Sequence, residues 1–222
     1  MGTISDNVRE VLAQIPGHVD VVAIGKGHPP GEIREAIDAG IRCIGENYLQ
    51  EARLVITELG GSARWHFTGH VQKNKVKLIV PLFDLIQTVD SLPLAEMIDG
   101  HAGRLGKIMP VLIEVNSGEE PQKSGVMPGE VHALLEKVGA LGNVRVQGLM
   151  TMGPFLEDPE GLRPYFRNTR ALFDELVKTG VPGVEMKHLS MGMSDSYLVA
   201  IEEGATMVRI GTRIFGPRAS SH

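Results

Sequence analysis

Eight short runs rich in β-branched and apolar residues recur along the sequence, at residues 19–25, 41–45, 65–67, 84–89, 107–115, 144–148, 184–189 and 206–210. Stretches of helical character lie between them. Residues 32–39 are led by Pro29-Pro30 and ended by Gly40, the expected start and stop signals of a helix. Residues 92–101, 129–138, 161–178 and 197–203 behave similarly. Strands that alternate with helices run parallel and are joined by crossovers. Such a sheet either closes on itself or stays open with helices on both faces. Eight units in 222 residues favour a single (β/α)8 TIM barrel, one domain over residues 1–222.

The bulk numbers exclude several classes. The net charge of −5 argues against nucleic acid, because a phosphate backbone selects a basic surface. One cysteine, Cys43, rules out an internal disulfide and reads as a small core residue. The first twenty residues carry acids and Pro16 where a secretory signal needs an unbroken apolar stretch. No apolar run approaches the ~20 residues that span a bilayer. The expectation is a cytoplasmic protein with no membrane contact. The eight histidines show no metal-ligand spacing, so no metal is expected.

In a parallel α/β fold the chemistry gathers at the carboxyl ends of the strands. Lys26 ends the first run, VDVVAIGK, which holds no other cation. Alternation places it on the face of Val22 and Ile24, opposite Val21 and Ala23. At the mouth of a lumen a lysine loses water, its pKa falls, and its neutral amine can form a Schiff base with an aldehyde. A lysine reaching out to solvent is the plainer alternative. The last third adds Ser190-Met191-Gly192-Met193-Ser194 after run seven and Arg209-Ile210-Gly211-Thr212 at run eight. Loops in these two places form the recurring phosphate site of such barrels. Gly192 and Gly211 would let backbone N–H groups approach an anion, with Ser190, Ser194 and Thr212 adding hydroxyls. Two glycine turns with cap residues are the alternative. Together the two signals suggest an aldehyde that carries a phosphate.

The stretches VVAIGK, GIRCIGENYLQEA, WHFTGHVQKNK, VNSGEEPQKSGV, GLMTM, LSMGMS and AIEEGATMVRIGTRIFG resemble the pyridoxal-phosphate homeostasis proteins, the YggS/PROSC family. The likeness runs from about residue 19 to residue 217. It implies a barrel like the N-terminal domain of alanine racemase, monomeric as a rule. It implies pyridoxal 5'-phosphate as cofactor, held as a Schiff base on Lys26. It places the phosphate around Ser190, Gly211 and Thr212, Arg209 near the pyridine nitrogen and Asn47 in the pocket lining. It implies no robust catalysis and so no catalytic residue; the role is to keep the cofactor available, with cofactor-requiring apo-enzymes as possible recipients. Departures from the usual pattern are Gly25 and Gly27 around the lysine, Thr68 within Phe67-Thr68-Gly69, and Ser196 preceded by Asp195. Glu120 and Lys123 also match the pattern, and Lys73-Asn74-Lys75-Val76-Lys77 reads as a solvated helix face.

Three functions compete: a non-catalytic carrier of pyridoxal phosphate, an amino-acid racemase using it, and a Schiff-base aldolase. The sequence ends at His222, soon after the eighth run, which favours a barrel without a racemase's second domain. A cation beside the pyridine nitrogen opposes its protonation and weakens the cofactor as an electron sink. The carrier is the favoured reading.

Overall fold

The computed structural model describes residues 2–217. Its eight strands are β1 (Asp20–Ile24), β2 (Cys43–Glu46), β3 (Arg64–Phe67), β4 (Leu85–Val89), β5 (Met109–Glu114), β6 (Val144–Met150), β7 (Val184–Ser190) and β8 (Met207–Ile210). They close in sequence order into one parallel barrel. Closure is made by β1 against β8, with Asp20 opposite Met207 and Ala23 opposite Ile210. The barrel, rather than an open sheet, is therefore the fold, and each expected run lies within a residue or two of an observed strand.

Strand alternation sorts the side chains into two environments. Ala23, Ile44, Ile86, Ile113, Leu149, Val208 and Ile210 join the main core between strands and helices. The intervening residues form small separate clusters, Val22 with Cys43 and Met207, and Leu85 with Leu112 and Met150. These point into the lumen, where Gln87 Nε2 on β4 lies 3.3 Å from Met207 Sδ on β8. Cys43 is 1% exposed, and burial pushes its thiol pKa well up, as suits an inert core residue.

The expected helices are present as α2 (Pro30–Asp38), α5 (Leu92–Arg104), α6 (Val131–Gly139), α7 (Arg163–Thr179) and α8 (Tyr197–Glu202). Three more join them: α1 (Ile4–Gln14), α3 (Leu49–Leu59) and the single turn α4 (Val76–Ile79). Helix α3 escapes sequence reading because Tyr48 provides no side-chain cap. It buries Ala52, Val55 and Leu59, three and four residues apart. A last short helix, α9 (Thr212–Phe215), follows β8. Helix α1 has a complete capping box between Thr3 and Asp6. Its Asn7 Nδ2 donates to Ile214 O at 2.9 Å, which ties α1 to α9. Among the described residues no helix is long and apolar enough to cross a membrane.

Candidate cofactor site

Lys26 stands two residues past the end of β1, half-buried, in a tight turn where His28 N donates to Gly25 O at 2.9 Å. Gly27 takes φ +79°, a left-handed conformation that glycine adopts without strain, and its N–H donates to Glu51 Oε2 at 2.9 Å. This accounts for Gly27 after the lysine. The lysine Nζ lies 5.8 Å from the centre of the Tyr48 ring, within cation–π range. Asn47, at the end of β2, accepts from Thr68 Oγ1 at 2.8 Å through its carboxamide oxygen. Any hydrogen bond from Asn47 to a ligand therefore comes from its NH2 end. Gly69 packs so closely on the Asn47 backbone that no Cβ fits, which holds the β2 and β3 loops together.

The opposite flank is built from β7, β8 and their loops. Gly211 N donates to Ser194 Oγ at 3.1 Å. A Cβ placed on Gly211 would lie 3.5 Å from Ile24 Cβ, so the turn adjoins the strand end that carries Lys26. Gly211 has φ −111°, so its need for glycine is not conformational. Gly192 differs: its φ is +90° and a Cβ there would press on Ala200 at 2.5 Å. Its glycine answers to backbone shape and packing. Ser190, expected beside Gly211, is set lower. It pairs with Met207, four residues before Gly211, and its hydroxyl bonds Gln87 and Arg209. Ser194 is the serine whose hydroxyl meets Gly211. Thr212 is exposed at the start of α9.

Arg209 points into the lumen, as the alternation of Val208 and Ile210 predicts, and is 4% exposed. Its NH1 donates to Ser190 Oγ at 2.6 Å and its NH2 to Thr151 O at 2.8 Å. Burial lowers its pKa to about 10, and the Glu114 carboxylate opposes that shift, so it stays a cation near neutrality. Burial and Asp90 in turn push Glu114 up to about 7, against the pull of Arg209.

A cavity of about 350 Å³ opens beside this arginine, lined by Glu114, Met152, Phe155, Leu156, Met193 and Asp195 among others. Met193 lines it, whereas Met191 packs in the outer core and Met150 in the lumen. On the same rim Asn116 closes a turn by donating to Glu120 O at 2.8 Å, and Lys123 Nζ pairs with Glu120 Oε2 at 2.5 Å. Glu120 and Lys123 thus brace the β5 loop. Lys73 and Lys77 are exposed ahead of and within α4, as a solvated face requires.

Three residues of consequence were given no role by the sequence motifs, although His66 and Glu46 stand within them. Gln87 and His66 sit under Arg209, and their lumen parity was the available signal. Glu46 ends β2 on the outer face, wholly buried, with no hydrogen-bond partner for either oxygen among the described residues. Burial pushes its carboxyl up to about 8, and Glu51 pushes the same way. Its Oε1 and Ile33 Cδ1 fill the space where a Cβ on residue 25 would stand, at 2.6 and 2.8 Å, which accounts for Gly25 before the lysine.

The profile of the alanine racemase N-terminal domain matches residues 1–219. A pyridoxal phosphate homeostasis protein of Aquifex aeolicus is 45% identical over 89% of this chain and 86% of that protein. Its human counterpart is 35% identical over 97% of this chain and 84% of that protein. The solved structure of PipY from Synechococcus elongatus with PLP bound superposes with a TM-score of 0.89 at 36% identity, over 96% of this chain and all of that one. Alanine racemase of Clostridium difficile shares the fold, with a TM-score of 0.81 at 18% identity over 99% of this chain and 57% of that one. With the closed barrel and the lysine at its mouth, these likenesses show that the chain belongs to the alanine racemase N-terminal domain family and, within it, to the pyridoxal phosphate homeostasis proteins.

Proposed function

We propose that the chain binds pyridoxal 5'-phosphate as a Schiff base on Lys26 and serves in intracellular homeostasis of that cofactor without robust catalysis. When bound, the cofactor supplies an amine-reactive aldehyde and an electron-withdrawing pyridine ring. The carrying observation is that the end of β1 and the Gly211 turn adjoin, so an amine and an anion cradle serve one small molecule. The hydroxyls of Ser194, which already accepts the Gly211 N–H, and of Thr212 would hold the phosphate against the open backbone of the Gly211 turn, with Ser190 acting one layer down by seating Arg209. The NH2 end of Asn47 would take an acceptor on the ring.

Arg209 argues for storage over turnover. A guanidinium is donor-only, so the ring nitrogen it meets must be an acceptor and hence unprotonated. That disfavours the racemase reading, which draws on the ring as an electron sink. PLP bound in PipY and the names of the relatives support the cofactor assignment. The reading extends to a cytoplasmic monomer that passes the cofactor to apo-enzymes.

The test is reconstitution with pyridoxal 5'-phosphate, borohydride reduction and peptide mapping. The expected adduct is a pyridoxyl group on Lys26, with Lys26→Ala losing both adduct and visible absorbance. An adduct on another lysine, or none, overturns the assignment.

A further inference from the structure

Beneath the mouth, side chains from four strands make one directed chain. Arg209 NH1 donates to Ser190 Oγ at 2.6 Å, Ser190 Oγ donates to Gln87 Oε1 at 2.7 Å, and Gln87 Nε2 lies 3.0 Å from His66 Nδ1. None of the four is more than 4% exposed. Chemistry dictates every direction. The guanidinium has no acceptor, so it donates. Gln87 turns its NH2 to the acceptor-only Met207 Sδ at 3.3 Å and so its oxygen to Ser190, which donates its hydroxyl proton there. The amide NH2 in turn faces His66, which must present a bare Nδ1 and carry its proton on Nε2. Burial agrees: it pushes His66 down to about 3, so the ring is neutral at any ordinary pH.

We propose that Gln87 is the positioning residue for the ring end of the cofactor site. It takes the Ser190 proton, so Ser190 presents its lone pairs to Arg209 and the guanidinium is held in one plane. The inference rests on the reading that Arg209 meets the cofactor ring. Fold stability alone gives no reason for this chain. Val22, Leu85, Leu112 and Met150 fill the same lumen without polar atoms, and a buried polar chain costs desolvation that an apolar filling avoids.

The experiment compares Gln87→Met, close in volume but without the amide, with wild type, each also in a Ser190→Ala background. Bound pyridoxal phosphate is titrated with pH and followed by absorbance. In Gln87→Met the ring nitrogen takes up a proton at least about half a pH unit higher, roughly threefold in affinity, because Arg209 no longer holds its donor in place. That shift disappears when Ser190 is already alanine. An unmoved midpoint overturns the proposal, and so does a full shift that persists without Ser190. His66→Leu keeps Gln87 but releases its amide, and moves the midpoint the same way by less; no movement there counts against the directed chain even if Gln87→Met fails to fold. The Arg209 guanidinium ¹⁵N signals of the unloaded protein give a second readout. Gln87→Met should speed rotation about the guanidinium bonds, and unchanged signals overturn the proposal. Wild type that takes up no cofactor would sink the reading above it, while the guanidinium signals still decide the role of Gln87.

Discussion

The two flanks of the barrel mouth are built on opposite principles. On the β7–β8 flank the buried polar groups are paired: Ser194 takes the Gly211 N–H, and Ser190 joins Arg209 to Gln87. On the β1–β2 flank, the strand ends lean on a carboxyl group that bonds none of the described residues, Glu46, packed where residue 25 would carry a side chain. A preorganised flank suits recognition of fixed charge, since its donors need no rearrangement. A desolvated flank suits a reactive amine, since low polarity favours the neutral form. On the proposed reading, one side of the mouth recognises and the other reacts.

The largest effect expected from disturbing this contrast lies at Glu46. Its folded pKa of about 8 lies above the ~4.3 of an unfolded chain, so the folded state keeps a proton that the unfolded state has lost. The contribution of Glu46 to stability therefore falls as pH rises through that window, by an amount on the order of 5 kcal/mol. Glu46→Gln should flatten most of the fall in denaturant melts between those limits. Glu114 contributes with the same sign, whereas His66, held down to about 3, contributes with the opposite sign below about pH 6.5, so the net fall lies above that. An equally steep fall in the variant would remove Glu46 as its source.

The recognising flank breaks next. A side chain on Gly211 meets only ordinary contacts, so Gly211→Val should fold. It should weaken pyridoxal phosphate by roughly 2 kcal/mol, a typical value for a hydrogen bond to a charged group, and leave pyridoxal little changed. Equal losses for both ligands, measured by fluorescence titration, would exclude a phosphate role. Arg209→Glu comes third. With loading matched by absorbance, α-proton exchange of alanine in heavy water should rise about tenfold, near 1.4 kcal/mol, as the ring nitrogen gains a proton. No gain would mean that ring electronics do not restrain the chemistry. Smallest is Phe155→Ser on the rim. Phe155 is 90% exposed, so thermal stability should stay within about 0.5 kcal/mol and loading should be unchanged.

Much of this was legible from the sequence. The strand runs stood out because Gly and Pro punctuate them, and the lumen position of Arg209 followed from a period of two. Alternation says which face a residue takes but not how high it stands in the barrel. Ser190 and Ser194 share the same parity, and only the pairing of Ser190 with Met207 places it below Gly211. The same gap hid Gln87, which meets Ser190 from 103 residues away. Glu46 was hidden differently: a carboxylate at a strand end reads as polar rim, and only its packing against Gly25 and Ile33 shows it buried.

The seam between β1 and β8 also governs when the protein can first do anything. Lys26 follows the first strand to be synthesised and Gly211 the last, and His28 stacks on Phe215 at 4.7 Å across that seam. Contacts so distant in sequence are slow to form, because a long loop must close before they repay its entropy. A chain still emerging from the ribosome without β8 holds the lysine but no anion cradle. Such a nascent chain would meet pyridoxal phosphate only as an ordinary amine does, so tight uptake of the cofactor reports on completed synthesis.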